Sequence, residues 1–301
     1  MNGQAGAARK AIRVFDSIVN MAILLTILLL LAIGGYAMWD SGHVYDEASA
    51  KRYEAYRPGD EGEALSFAEL QALNDDVFAW LTVYGTHINY PVVQGEDNME
   101  YVNTDAEGRY SLTGSIFLDE GSSRDFSDFS SILYGHHMEK NAMFGEIGQF
   151  ANEAYFDSRR YGALYYGGRW HGLEFFAFLQ ADAYDGEVFR VKIVGPEEQA
   201  GYLDMLLSMA VNIRDLPVAA EDRIVLLSTC SPGPTNGRDI LVAKITDEVR
   251  GDPFSSDAGE RAADDPLMKV LTPVLAVLYA AVLALVFLIR RRRDRRGYEE
   301  G

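Results

Sequence analysis

The chain has one cysteine in 301 residues, and that scarcity limits what it can be. Proteins exposed to oxidising surroundings normally use cysteines in pairs, as disulfides. A single thiol cannot close a disulfide within the chain, so Cys230 is either an inert buried side chain or a nucleophile. Its position alone leaves both possibilities open, and the residues around it must decide.

Metal-ligand spacings are also missing. None of the five histidines is followed by another four residues on, and one cysteine cannot form a C-x-x-C pair. The adjacent His136 and His137 cannot readily chelate one ion from a single strand end. The acidic pair Asp75-Asp76 is typical of a solvated surface. We therefore predict no metal and no cofactor.

Two long apolar runs lie near the ends of the chain. Residues 18–38 are almost uninterruptedly apolar, and at 1.5 Å per residue they can cross a bilayer core. The run is longer than the apolar part of a signal peptide, and no convincing cleavage site follows it. A second run covers residues 270–289. We expect both runs to be transmembrane helices.

Basic residues flank each run on the side nearer the chain end. Arg9, Lys10 and Arg13 lie in the N-terminal segment 1–17, and six arginines lie in the tail 290–301. Because such flanks stay in the cytoplasm, both termini are predicted to be cytoplasmic. The chain is thereby assigned to the cell membrane, with everything between the two spans outside the cell.

Basic residues are scarce between the two spans. Setting aside nine basic and four acidic residues at the ends leaves 18 basic and 41 acidic residues, a net charge of about −23. Such a surface repels polyanions and favours cationic or amine-bearing partners. We predict no nucleic-acid partner.

About 230 residues separate the spans, enough for one domain with a full hydrophobic core. No internal repeat and no long low-complexity tract occurs. We divide the region into a juxtamembrane linker and helix at 39–65, a globular domain at 66–250 and an acidic linker at 251–269. A short helix is predicted over residues 45–56, and Ser66 with Glu69 predicts a capping box for another.

Short β-branched or aromatic runs, separated by Gly, Asn and Asp, fill the globular domain. Gly167-Gly168 between two of them is a hairpin signal. Strands this numerous and this closely spaced predict a mainly β fold, a closed or nearly closed barrel. Helical insertions are predicted over residues 143–156 and 196–212. The predicted strands are 80–84, 88–93, 114–118, 131–134, 163–166, 173–179, 189–194, 224–228 and 240–245.

Candidate partners for Cys230 follow from its chemistry. A thiolate nucleophile needs a base or cation nearby, and a tetrahedral intermediate needs a hydrogen-bond donor. His136 and His137 leave a predicted strand through Gly135 and enter a loop, where scaffolds display reactive groups. Adjacent residues leaving a strand point to opposite sides, so only one should face a site. The remaining histidines are predicted to be surface or structural residues: His43, His87 and His171.

Arg238 follows Cys230 by eight residues, across a turn rich in Pro and Gly, and opens the next predicted strand. Strand, turn and strand would bring the two residues to neighbouring positions at one end of the sheet. Taken alone, a surface salt bridge is the simpler explanation of Arg238.

In these residues the chain resembles the sortases, and specifically the class B sortases. ILYGHHM at residues 132–138, LLSTC at 226–230 and the following Arg238 are similar to the His, Cys and Arg motifs of that family. NYPVVQ at 89–94 and GSIFLD at 114–119 also have class B character. The resemblance covers roughly residues 66–248.

Two features depart from the family's pattern. Leu226 replaces the usual Thr in a strand position, where we expect an effect on packing more than on chemistry. The predicted second span is missing from single-anchor class B sortases, and a two-span layout resembles the pilin-polymerising sortases.

The resemblance implies a closed barrel of about eight strands with helical insertions, here flanked by two transmembrane helices. It also implies a cysteine transpeptidase that cleaves the C-terminal sorting signal of surface proteins. Cys230 would form a thioacyl enzyme, His136 would transfer protons, and Arg238 would hold the substrate and stabilise the oxyanion. Ser228 and Thr229 would line the substrate groove.

The implied partners are surface proteins or pilins with a sorting signal, and the amine of a peptidoglycan precursor or a pilin lysine. Two alternatives stay open. A cysteine hydrolase that releases surface proteins to water would use the same residues. A non-catalytic surface protein that is itself sorted would share the apolar span and arginine tail, but residues 264–269 contain no L-P-x-T-G-like pentapeptide.

Overall fold

The strand-rich part of the sequence folds into one nine-stranded sheet. The computed structural model describes residues 2–59, 64–138, 141–219, 221–230 and 236–255, together with Tyr279. The chain divides into two compact units, Met1–Asp252 and Pro253–Gly301, and almost all described residues belong to the first. The strands are β1 (Val77–Val83), β2 (Asn89–Val93), β3 (Ile116–Leu118), β4 (Ser130–Tyr134), β5 (Tyr161–Tyr166), β6 (Arg169–Asp182), β7 (Ala210–Ile213), β8 (Arg223–Cys230) and β9 (Gly237–Thr246).

Eight of these strands close into a barrel. In the order β5-β1-β2-β3-β4-β8-β9-β6 each strand pairs with the next, and β6 pairs back with β5. The pairs β2–β3 and β4–β8 are parallel. β6 is 14 residues long and continues past β5, so its far part pairs with β7 as a ninth, edge strand. The predicted closed barrel of about eight strands is confirmed.

Both faces of the barrel wall are buried at β8 and β9, which explains why these strands read as unbroken apolar runs. Alternate residues fill an inner core: Val225, Leu227, Leu241 and Ala243. The residues between them fill an outer core: Ile224, Leu226, Ile240 and Val242. Helix α4 (Pro196–Met209) covers the outer core with Tyr202 and Leu206. Alternate residues reach different cores because successive side chains of a strand point to opposite faces of the sheet.

The N-terminal apolar run lies within one long helix, α1 (Asn2–Ala48). Its part Lys10–Trp39 includes the predicted span 18–38, and among the described residues it is the one stretch long and apolar enough to cross a membrane. Two 3₁₀ turns, Ala50–Arg52 and Glu54–Tyr56, follow where a helix over 45–56 was predicted.

The C-terminal predictions concern residues that are almost all outside the described part. These are the second span 270–289, the basic tail 290–301 and the linker 251–269 beyond residue 255. Tyr279 is the exception and is helical. The second span therefore stays a prediction.

The predicted helix over 143–156 is wrong at its start, where residues 143–146 form a bridge and turns, and in its middle. A 3₁₀ helix, Ile147–Ala151, comes first, and α3 (Glu153–Ser158) follows. Asn152 between them is extended, and its side chain accepts a hydrogen bond from Tyr155 N as the cap of α3. An Asn side chain can accept a hydrogen bond from a backbone N–H in place of the helical carbonyl. Asn152 therefore interrupts the helix and caps the start of α3.

Two other helix boundaries also differ from the prediction. α2 (Ala64–Leu73) begins two residues before Ser66, so Ser66 is inside the helix and is not its cap. Ala64 and Leu65 favour helix and extend it upstream. The predicted helix 196–212 ends at Met209, because the residues after it pair with β6 as β7.

The predicted strand 189–194 is wrong. These residues form turns and irregular chain between β6 and α4. Ile193 and the preceding Val188 are nevertheless buried in the outer core, and Tyr202 Oη donates to Val188 O at 2.6 Å. The apolar pattern therefore reported burial against α4 and not strand pairing.

Candidate active site

The ends of β4 and β8 and the start of β9 meet at one rim of the barrel. β4 and β8 run parallel, and their ladder extends beyond β4 through a hydrogen bond from Gly135 N to Ser228 O at 3.2 Å. Continuing this register sets His136 opposite Cys230. On the other side of β8, Cys230 pairs directly with Arg238. The three residues therefore form one row across three neighbouring strands.

Neighbouring strands are about 4.8 Å apart, so the three backbones span about 10 Å. Along β9, Arg238 is two residues before Ile240, which belongs to the outer core, so Arg238 lies on the outer face of the barrel wall. The backbone of Cys230 is described, while its side chain and residues 231–235 lie outside the described part.

A cavity of about 360 Å³ opens where these strand ends meet. Its walls come from the three strand ends, from the chain after β2 and from the chain after β6. Four of the residues predicted from the sequence line it: His136, Ser228, Thr229 and Arg238. The other lining residues are Asn98, Met99, Val102, Phe117, Tyr134, Gly135, Ala183 and Phe189.

The imidazole of His136 is oriented by the backbone. Its Nε2 donates to the carbonyl oxygen of Val102 at 2.8 Å. Because a carbonyl only accepts, the Nε2 atom carries a proton, and Nδ1 is the nitrogen that can gain or lose one. Val102 ends a short 3₁₀ helix, Glu100–Val102, in the chain between β2 and β3.

The Val102 carbonyl is itself held in place from two sides. Gly114 has a φ of +58°, and a Cβ there would lie 2.5 Å from Val102 O and 2.6 Å from Tyr101 O. This close approach requires glycine. On the other side, Tyr101 Oη donates to Asp76 Oδ2 at 2.8 Å and accepts from Asn74 Nδ2 at 2.9 Å.

Tyr134 connects the cavity to an acidic group. Its hydroxyl donates to Asp119 Oδ2 at 3.2 Å, and the same oxygen accepts from Asn98 Nδ2 at 2.9 Å. Burial raises the pKa of Tyr134, the Asp119 carboxylate raises it further, and Arg238 offsets part of the rise. Tyr134 therefore stays neutral and serves as a hydrogen-bond donor that fixes the cavity wall.

Comparison with known proteins decides the family. No family model matches the chain. The chain is 47% identical to sortase B from the type II pilus of Streptococcus pneumoniae, with 60% of this chain and 99% of that chain covered and a TM-score of 0.54. The chain belongs to the class B sortases. Sortases are cysteine transpeptidases, and this chain is a sortase-type cysteine transpeptidase.

Two further relatives agree. A Streptococcus pyogenes class B sortase involved in pilus biogenesis is 39% identical, with 60% of this chain and 97% of that chain covered and a TM-score of 0.55. Sortase B of Staphylococcus aureus is 29% identical over 200 residues, which is 65% of this chain and 78% of that protein. The family resemblance predicted from the His, Cys and Arg motifs is confirmed.

Ser228 and Thr229 of this sortase carry unsatisfied hydroxyls. Their side chains are 1% and 2% exposed, and within the described part of the chain neither hydroxyl has a hydrogen-bond partner. Thr229 pairs with Asp239 one rung further from the rim than Cys230, and Ser228 pairs with Ile240 two rungs further. A buried hydroxyl without a partner is costly, so a bound peptide could satisfy these groups.

The other histidines have different surroundings from His136. His137 forms an isolated bridge with Met143 and does not line the cavity. His87 Nδ1 lies 3.0 Å from Glu146 Oε2. The remaining two lie in other elements: His43 in α1 and His171 in β6.

Sequence reasoning missed the cavity walls formed by residues 98–102 and 183–189. Asn98 and Met99 lie in the chain between β2 and β3, and the rule that functional residues lie on loops after strands could have nominated them. Val102 acts through its backbone carbonyl, which no residue type signals.

Proposed function

We propose that α1 anchors this sortase in the cell membrane, with the barrel outside the cell. Cys230, His136 and Arg238 would cleave the C-terminal sorting signal of surface proteins or pilins and transfer the acyl group to an amine. The row that these residues form beside a cavity is the observation that supports the proposal most. A second span at 270–289, with both termini cytoplasmic, belongs to the same proposal and is supported by the arginine-rich tail.

Acylation begins when the Cys230 thiolate attacks the carbonyl carbon of the scissile peptide bond. The new C–S bond pushes the carbonyl electron pair onto oxygen, and the Arg238 guanidinium donates hydrogen bonds to that oxyanion. The C–N bond then breaks as His136 gives a proton to the leaving nitrogen. A thioacyl enzyme and a free amine result.

Deacylation reverses these roles. The acceptor amine attacks the thioester carbon and loses a proton to His136, and the C–S bond breaks to release the Cys230 thiolate. Because Val102 O holds Nε2–H, Nδ1 of His136 is the atom that would carry the mobile proton in both steps. Ser228 and Thr229 would hydrogen-bond the peptide groups of the bound sorting signal.

The acceptor is proposed to be a pilin lysine, with a peptidoglycan precursor amine as the alternative. One of the similar proteins is a sortase B from a type II pilus and another is a class B sortase involved in pilus biogenesis, which supports the pilin substrate. The excess of acidic residues between the predicted spans favours an amine-bearing partner of either kind.

Replacement of Cys230 by Ala tests the proposal. The full chain in detergent is incubated with a sorting-peptide library and either a lysine peptide or a stem-peptide amine, and the products are weighed. We expect Cys230→Ala to lose both cleavage and the thioacyl adduct, while retained turnover would refute the proposal. His137→Gln is the matched control and should keep activity, since His137 does not line the cavity.

The same assay without any amine separates transfer from hydrolysis. A transpeptidase should release little carboxylic-acid product under those conditions. Acid product formed at the same rate with and without amine would favour the hydrolase alternative.

A further inference from the structure

Tyr90 in β2 links the end of α1 to the loop that follows His136. Its hydroxyl donates to Ala48 O at 2.8 Å and accepts from Met143 N at 3.0 Å. Tyr90 is 2% exposed, and burial raises its pKa to about 12. The hydroxyl therefore keeps its proton at neutral pH, and both hydrogen bonds persist.

The Met143 amide is one residue from a bond that holds His136. Phe144 N donates to His136 O at 3.0 Å, and His137 pairs with Met143 in an isolated bridge. The Phe144 ring also packs closely over Gly135, where a Cβ would lie 2.8 Å from a ring carbon. The backbone of His136 is thus fixed by the segment that Tyr90 holds.

This segment needs external support because its backbone is strained. Asn141 and Met143 have φ values of +62° and +51°, in a region that residues with a Cβ rarely occupy. Such conformations persist only when neighbouring groups enforce them. Asn141 Oδ1 accepts from Gln149 Nε2 at 3.3 Å, and Met143 N–H is held by Tyr90.

The chain after α1 also contacts the loop on the other side of the His136 ring. Arg52 Nη2 lies 2.8 Å from Asp105 Oδ2, whose side chain is almost wholly buried. Asp105 follows Val102 by three residues, and Val102 O accepts the hydrogen bond from His136. Both the backbone of His136 and the acceptor for its ring are therefore tied to the residues just outside the membrane helix.

We infer that Tyr90 is a positioning residue for His136. Its hydroxyl joins the end of α1 to the His136 loop and keeps the imidazole aligned with the Val102 carbonyl. This inference rests on the proposed role of His136 in proton transfer. The competing explanation is that the Tyr90 hydroxyl only stabilises the fold.

The test compares Tyr90→Phe with Tyr166→Phe in the full chain in detergent. Each substitution removes one buried hydroxyl and keeps the ring. Tyr166 Oη accepts from Arg223 at the start of β8, about 20 Å along that strand from Cys230. We expect Tyr90→Phe to lower kcat about tenfold with KM within about twofold, and Tyr166→Phe to keep kcat. Both should lower the thermal unfolding midpoint.

A second readout follows His136 directly. Histidine is labelled with ¹³C, the His136 resonance is assigned with His136→Gln, and its titration is recorded by NMR. Tyr90→Phe should shift the titration midpoint of His136, whereas Tyr166→Phe should not. An unchanged kcat and an unchanged His136 titration in Tyr90→Phe would overturn the inference.

The two proposals fail in different ways. If the His136 titration shifts in Tyr90→Phe but kcat does not change, the positioning holds and the catalytic role of His136 fails.

Asn141→Gly is a further test of the loop. The backbone conformation at residue 141 suits this substitution, because glycine adopts positive φ freely. It should loosen the same loop and lower kcat in the same direction by a smaller factor, and wild-type kcat there would count against the inference.

Discussion

The two ends of the barrel carry the same three residue types in different surroundings. Around the cavity, at the end of β8, lie His136, Tyr134 and Arg238. At the opposite end, where β8 begins, lie His171, Tyr166 and Arg223. The comparison separates what residue types contribute from what their packing contributes.

At the end where β8 begins, the other two side chains both contact Tyr166. The His171 ring stacks on Tyr166 with centroids 3.9 Å apart and planes 11° apart, and Arg223 Nη1 donates to Tyr166 Oη at 2.9 Å. His171 is 3% exposed. Burial, helped by the nearby positive charges of Arg169 and Arg223, lowers the pKa of His171 to about 4. This end is a packed cluster in which the imidazole of His171 is neutral at pH 7.

At the cavity end, the histidine and the tyrosine have hydrogen-bond partners outside the trio. His136 is held by a backbone carbonyl and Tyr134 by Asp119. The loops after β2 and β6 form walls, and a cavity stays open between them. A site therefore requires support from outside the trio, because a histidine, a tyrosine and an arginine that pack against each other leave no space for a substrate.

The largest expected difference is between the two histidines. We expect His136→Gln to lower kcat/KM by about 10³-fold, because it removes the proposed proton-transfer group. His171→Gln should keep kcat/KM near the wild-type value and lower the unfolding midpoint instead. Steady-state kinetics with a sorting peptide and thermal unfolding of the full chain measure both. Equal losses of activity would abolish the distinction between the two ends.

The arginines should differ by a smaller factor. Arg238→Lys keeps the charge but loses the planar fork of donors, and we expect kcat/KM to fall about 10²-fold. Arg223→Lys changes the same group at the closed end and should leave kcat/KM within about twofold. The same peptide assay checks the pair, and wild-type activity in Arg238→Lys would remove its proposed role at the oxyanion.

How far the sequence predicts this site depends on how local each contact is. The pairing of Cys230 with Arg238 was predictable because only a short segment rich in Pro and Gly separates the two residues along the chain. The alignment of His136 with Cys230 depends on the parallel pairing of β4 with β8, whose register no local pattern specifies. The motifs indicated that His136 lies near Cys230 only through their resemblance to the sortase family. Val102 and Tyr90 were unpredictable, since one acts through a carbonyl and the other through contacts distant in sequence.

The same distinction explains the fold. The unbroken apolar runs of β8 and β9 predicted strands correctly, because each face of those strands meets a core. In residues 189–194, Ile193 is buried in the outer core and Phe189 and Val191 pack partly against it, but the segment is not a strand. A hydrophobic pattern indicates burial. A buried segment is also a strand only where a neighbouring strand can pair with it.

The smallest expected effect concerns stability in mild acid and comes from the closed end. His171 has a pKa of about 4 in the fold and 6.5 as its ordinary value. Above pH 6.5 it is neutral in both folded and unfolded chains, and its contribution to stability is complete. As the pH falls from 6.5 towards 4, the unfolded chain binds a proton that the folded chain excludes, so stability is lost. Below pH 4 both states are protonated, and no further loss occurs.

Urea unfolding of the full chain at pH 7 and pH 4.5 measures this loss against His171→Phe, which keeps a ring against Tyr166. Other groups titrate alike in both proteins, so the difference between the two pH dependences isolates His171. We expect the wild type to lose on the order of 2 kcal/mol more than the variant, after allowance for solvent screening. Identical pH dependences would mean that the folded protein admits the proton at His171. The closed end would then be as open to solvent as the cavity, and burial would not explain why only His136 of the two histidines is proposed to act on the substrate.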